Sequence, residues 1–253
     1  METLTFGQYS LVYNAFSFTF ATMAAATLFL WFGRSQVSAA YKPALTIAGL
    51  VCAIAAYHYF RIFESWEAAY TISDGVAASS EVAFNKAYRY VDWLLTVPLL
   101  LIELILVMRL SQSETISRAA KLGAAAALMI ILGYPGEVAD DTATRALWGT
   151  LSAIPFVYIV WQLFYGLSAS IANQPESVRE LIKTARLVTF ASWGFYPIVY
   201  MIPYTEISGA NVTVAVEIGY TIADLVAKVG IGILIYMIAT RKSRLEQGDA
   251  AYA

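Results

Sequence analysis

The sequence predicts an all-α membrane protein, a seven-transmembrane-helix bundle with its N-terminus outside and its C-terminus cytoplasmic. Three observations carry that expectation. Of 253 residues, 59% are hydrophobic and only 13% are charged, about half the charge of an ordinary soluble domain. The apolar residues gather into seven runs, most of them long enough to cross a bilayer at about 20 residues each. The basic residues fall unevenly between the two sets of connections. The same composition excludes other classes. Sixteen Lys+Arg against 18 Asp+Glu leaves no basic excess for nucleic acid, and so high an apolar fraction excludes a disordered chain. Cys52 is the single cysteine and forms no intrachain disulfide.

The first run, residues 3–33, contains no charge. It is too long for a signal-peptide core and has no basic segment before it. A second uncharged run covers 43–60. The third, 90–108, is apolar except for Asp92 and Glu103, and a shorter one covers 122–136. Two more follow at 146–175 and 187–205, and the last, 207–240, is interrupted by Glu217, Asp224 and Lys228. The longest connection, 71–85, mixes Gly, Ser and β-branched residues and reads as a small hairpin cap. With no repeat and no linker, residues 1–253 read as one domain. Eleven basic residues lie in one set of connections, including Arg34, Arg109, Arg118, Lys183 and Arg241. The other set holds only Arg61, Lys86, Arg89 and Arg145. The richer side faces the cytoplasm.

Ionisable groups inside a bilayer are costly and by default mark a function. Asp92, Asp224 and Lys228 lie deep in their runs, with Arg89 and Glu103 nearer the two ends of the third. Asp224 and Lys228 are four apart and share a helix face. Asp92 and Glu103 are eleven apart, so they share a face about 16 Å apart along the axis. Arg89 and Thr96 lie on the same stripe. A neutralised ion pair is the plain alternative for Lys228, and snorkelling to the interface is the plain alternative for Glu103. Together, however, one lysine, two adjacent acids, an outer arginine and a distant inner acid make the layout of a proton path. A buried lysine is also the amine that forms a Schiff base with an aldehyde, and Asp92 and Asp224 would be its counterions. His58 is the single histidine; such a residue on a helix is ordinarily part of the core. No metal cluster, nucleophile motif or phosphate loop stands out, so a transporter is expected rather than an enzyme.

The third run reads Arg89-Tyr-Val-Asp92-Trp-Leu-Leu-Thr96-Val-Pro98-Leu-Leu-Leu-Ile-Glu103. The sixth contains Ser-Trp193-Gly-Phe-Tyr196-Pro197, and the seventh Gly-Tyr220-Thr-Ile-Ala-Asp224-Leu-Val-Ala-Lys228. These stretches resemble the microbial rhodopsins, specifically the proteorhodopsin/xanthorhodopsin group of light-driven proton pumps, along essentially the whole chain. The resemblance implies that Lys228 binds all-trans retinal as a Schiff base. It makes Asp92 the proton acceptor and main counterion, Asp224 the second counterion and Glu103 the proton donor. Thr96 completes the pump triplet, and His58 is the histidine that hydrogen-bonds the acceptor. Trp93, Leu100, Met129, Gly133 and Ser152 match positions lining the retinal pocket, as do Phe156, Trp193, Tyr196 and Pro197. An apolar Leu100 looks like the green-absorbing form. The paired release glutamates of archaeal pumps have no clear match; Glu206 and Glu217 are the candidates, and the group is left unassigned.

The resemblance further implies protons as the transported species, a lipid bilayer as the setting and a homo-oligomer, trimer or pentamer. A photosensor is the competing class, and the chain ends soon after its last run, so no attached signalling domain is expected. Sodium and chloride pumps would differ around Asp92. Gly149, in Leu147-Trp148-Gly149-Thr150, falls where related pumps carry a bulky aromatic. In xanthorhodopsin-like members a glycine there admits the end ring of a carotenoid antenna. A hydroxylated carotenoid such as zeaxanthin or lutein is therefore a candidate second pigment, with close helix packing as the plain alternative.

Overall fold

The structure is a computed structural model and describes residues 3–205 and 209–248. Among them are seven long helices: α1 (Phe6–Gly33), α2 (Lys42–Ala68), α3 (Ala87–Met108), α4 (Gln112–Glu137), α5 (Thr142–Ala172), α6 (Glu176–Met201) and α7 (Ala210–Glu246). Short connections make neighbours antiparallel, and α1 to α5 pack in sequence order. Helix α7 closes the bundle against α1, α2, α3 and α6. Two helices widen locally into π turns, α5 at Gln162–Gly166 and α7 at Leu225–Gly230.

Each boundary has a local cause. Helix α1 starts in a capping box, with the Gln8 N–H donating to Thr5 Oγ1 and the Thr5 N–H donating to the Gln8 side chain. Pro43 stands in the first turn of α2, where its missing N–H costs nothing. The expected hairpin is present: β2 (Tyr70–Ser73) pairs with β3 (Val76–Ser79). Asp74 and Gly75 turn between them with φ of 54° and 77°, the left-handed pair that a tight hairpin requires. The expectation that residues 3–33 form one span is corrected at its start. Thr3–Thr5 is a strand, β1, hydrogen-bonded to the far side of β3 in the order β1-β3-β2. This sheet caps one end of the bundle, referred to below as the sheet end, over a core of Leu4, Tyr9, Phe16 and Trp66.

Among the described residues, six of these helices are long and apolar enough to span a membrane. Helix α6 is the exception, because its first turns carry Glu176, Arg179, Glu180, Lys183 and Arg186 before the apolar stretch begins at Leu187. The helices in general outrun their apolar runs: α2 continues to Ala68 and α4 begins at Gln112. At the end opposite the sheet, α3 stops at Arg109 in the left-handed region, φ 56°. Its final carbonyls, Val107 and Met108, accept hydrogen bonds from Lys242 Nζ at 3.1 and 3.2 Å. Large apolar side chains such as Phe18, Phe32, Ile154 and Val157 are exposed around the outside, a surface suited to lipid rather than water.

Candidate functional site

The π turn of α7 carries Lys228 into the centre of the bundle, where it is 1% exposed. Its Nζ donates to Asp92 Oδ2 of α3 at 2.6 Å and to Asp224 Oδ1 of α7 at 2.7 Å. Both acids are fully buried. So low-dielectric a place holds an ammonium only because carboxylates face it. The two acids are not equivalent. Asp224 also accepts from Trp93 Nε1 and the Tyr196 hydroxyl on Oδ1, and from the Tyr59 hydroxyl on Oδ2. Asp92 Oδ1 has no hydrogen-bond partner among the described residues.

His58 faces that free oxygen without bonding to it. The Nδ1–Oδ1 distance is 3.9 Å, beyond hydrogen-bond range, and Nδ1 instead donates to the Ile54 carbonyl in its own helix at 3.0 Å. The expected His58–Asp92 hydrogen bond is therefore corrected to a close approach, because the helix carbonyl one turn back takes the proton. Thr96 likewise back-bonds, its hydroxyl donating to the Asp92 backbone carbonyl at 2.8 Å. That bond fixes the turn and is made to the backbone, not to the carboxylate.

Arg89 lies one turn toward the sheet end and is buried. Its Nη1 donates to Glu217 Oε2 at 2.6 Å, and its guanidinium lies 5.2 Å from the Tyr220 ring. Glu103, in the opposite direction along α3, is fully buried, and neither carboxyl oxygen has a partner among the described residues. Nothing among the described residues compensates a charge there, and an uncompensated buried charge is costly.

Next to Lys228 runs a cavity whose walls come from α3 to α7. Every pocket position anticipated from the sequence lines it: Trp93 and Leu100 on α3, Met129 and Gly133 on α4, Gly149, Ser152 and Phe156 on α5, and Trp193, Tyr196 and Pro197 on α6. Lys228 is the only charged residue on its wall among the described residues, and the rest is mostly apolar and aromatic. Trp93 and Tyr196 meet at right angles, centroids 5.1 Å apart. The Ser152 hydroxyl donates to the Met129 carbonyl and locks α5 to α4. A slot walled by rings and ending in a buried primary amine suits a long apolar aldehyde. At Gly149 the space is narrow, since a Cβ there would lie 2.9 Å from Tyr200 Cε1.

A second buried cluster sits beyond Arg89. Glu137 at the end of α4 accepts from Arg145 Nη2 and from the Tyr220 hydroxyl, both at 3.2 Å, and Lys86 lies 3.8 Å away. By position in the sequence, Glu137 and Arg145 read as loop charges; in the structure both are buried. The available signal was an acid ending one apolar run and an arginine opening the next. Tyr59 carried no signal at all. Of the two candidate release glutamates, Glu217 is paired with Arg89, and Glu206 lies outside the described residues.

Comparison with known proteins agrees with this geometry. The model of the family described as bacteriorhodopsin-like protein matches residues 12–242. The green-light absorbing proteorhodopsin of Gamma-proteobacterium EBAC31A08 is 30% identical over 234 residues, covering 91% of this chain and 88% of that protein. The solved structure of xanthorhodopsin, a light-driven ion pump with dual chromophore, superposes with a TM-score of 0.93 at 53% identity, covering 98% of this chain and 99% of that one. A thermophilic rhodopsin gives a TM-score of 0.93 at 48% identity over the same shares. Matched from α1 to α7, the chain belongs to the bacteriorhodopsin-like proteins and is a multi-pass protein of the cell membrane.

Proposed function

We propose that the protein is a light-driven outward proton pump that carries all-trans retinal on Lys228. The observation that carries this reading is a buried lysine held between two carboxylates at the end of an aromatic-walled slot, with an isolated, unpartnered carboxyl farther along α3. Retinal, when bound, supplies the light-driven isomerisation that changes where the nitrogen's proton points. The residues divide the remaining work. Asp92 is the acceptor, because its Oδ1 is unpartnered and free to take a proton. Asp224 is the fixed anion, because donors from α2, α3 and α6 besides Lys228 already bond to its two oxygens and stabilise its charge. Trp93, Tyr196 and Trp193 hold the slot's shape. Glu103 keeps a proton in reserve on the side away from Arg89. If the basic-rich end faces the cytoplasm, protons enter past Glu103 and leave past Arg89. Adding all-trans retinal to the protein is expected to give a visible band, and Lys228→Ala a colourless protein. A Lys228→Ala variant with the native band would overturn the assignment.

Gly149 favours a second chromophore site on the same wall. It lines the cavity beneath Tyr200, on the membrane-facing side of α5 and α6, where Leu147, Ile198 and Met201 are exposed. Its relative with a dual chromophore shares 53% of its residues. A hydroxylated carotenoid of the zeaxanthin or lutein type would lie there as an antenna. Added carotenoid is expected to sharpen its own absorption bands on the wild type but not on Gly149→Trp. Unchanged bands on the wild type would leave Gly149 as a packing residue against Tyr200.

A further inference from the structure

Arg89 is a buried arginine one turn from Asp92 on α3. It nevertheless bonds to neither aspartate. Its hydrogen bond goes to Glu217 Oε2 at 2.6 Å, with Glu217 3% exposed and Arg89 5% exposed. Arg89 Nε and Nη2 have no partner among the described residues, and rings of Phe16 and Tyr220 lie 5.8 and 5.2 Å from the guanidinium. Arg89 therefore has spare donors, and Glu217 is the one acid that holds it by a hydrogen bond among the described residues. We infer that Glu217 is a positioning residue that binds Arg89 and neutralises it, so that Lys228 alone balances Asp92 and Asp224. The inference rests on the retinal-pump reading and extends it, because it concerns how readily Asp92 takes its proton.

The sign follows from the charges. The groups facing Asp92 are Lys228 and Asp224 on α7, His58 and Cys52 on α2 and Tyr196 on α6; Arg89, one turn away on its own helix, faces Asp224. Those facing Arg89 are Glu217, Asp224 and Tyr220 on α7, Tyr59 on α2 and Tyr90 on its own helix. Glu217→Gln keeps the shape of the side chain and removes its charge. The guanidinium is then unbalanced, whether it stays in place or turns toward the aspartates. Either way it favours the ionised acceptor, and protonation of Asp92 moves to lower pH. A unit charge at about 10 Å in surroundings of effective dielectric about 20 shifts such a midpoint by about one pH unit.

The test is the pH titration of the visible band of the retinal-loaded protein. Protonating the counterion removes negative charge beside the chromophore and moves the band to the red. Glu217→Gln is expected to lower the midpoint of that red shift by about one pH unit, and Glu217→Asp to leave it close to wild type. Arg89→Gln is expected to raise it. The double variant, which loses both charges together, is expected to return toward wild type, and it keeps the question open to test should either single variant fail to take up retinal. A Glu217→Gln midpoint that is unchanged or higher overturns the inference, as does a double variant displaced as far as Glu217→Gln, or a Glu217→Asp variant matching Gln. A wild type that gains no visible band from retinal overturns the pump reading and this inference with it; a coloured wild type with an unmoved Glu217→Gln midpoint overturns this inference alone.

Discussion

Asp92 and Asp224 share one lysine and differ in what else they hold. Both were legible in the sequence, because a charge in an apolar run has few innocent explanations. Their division of labour was not, since it depends on Tyr59, Trp93 and Tyr196 converging on Asp224 from α2, α3 and α6. Tyr59 is one of 17 tyrosines, and nothing in its local sequence marks it. Glu103 was visible for the same reason as Asp92, and its isolation explains its proposed role. Glu103→Gln removes the ionisable proton but leaves the chromophore's neighbours untouched. Flash photolysis is therefore expected to show recovery from the deprotonated state slowed at least tenfold, about 1.4 kcal/mol or more in barrier, with the absorption maximum nearly unchanged. Normal recovery in this variant would remove Glu103 from the pathway.

At the scale of elements, the runs of apolar residues gave the helices but not their ends. Helices continue into charged flanks because Glu, Lys and Arg are good helix formers and because packing between neighbours extends beyond the hydrocarbon. Helix α6 shows this most plainly, opening with a charged segment. Strand β1 was hidden because three residues carry no pattern, and it exists only through pairing with β3. Lys242 was equally hidden, read as one more basic residue of the cytoplasmic set. It is buried and donates to the carbonyls of Val107 and Met108 and to Gln174 Oε1 at 2.8 Å, so it joins α7 to the end of α3 and to the α5–α6 connection. Lys242→Met fills similar volume and removes the donor from the Val107 carbonyl and Gln174 Oε1, leaving the Met108 carbonyl only its bond from Gln174 Nε2. Charge-assisted bonds of this kind are worth about 1.5–3 kcal/mol each, so thermal bleaching in detergent is expected several degrees below wild type, with the absorption maximum unmoved. An unchanged bleaching temperature would mean that water replaces the amine at no cost.

Across the whole molecule, the charged groups fall along one line. Glu103 lies toward the end rich in arginine and lysine. Lys228 with its two acids is central. Arg89, Glu217 and then Glu137 with Arg145 and Lys86 continue toward the sheet end. Through their membrane-spanning middles these helices carry few other charges, and large apolar side chains such as Phe18, Ile154 and Val157 face outward around them. The most direct test is to illuminate retinal-supplied cells expressing the protein in unbuffered medium while recording external pH. The account predicts acidification in the light that relaxes in the dark, is abolished by a protonophore and persists when sodium and chloride are replaced. No light-driven change, an alkalinisation, or a signal that requires either of those ions would contradict it.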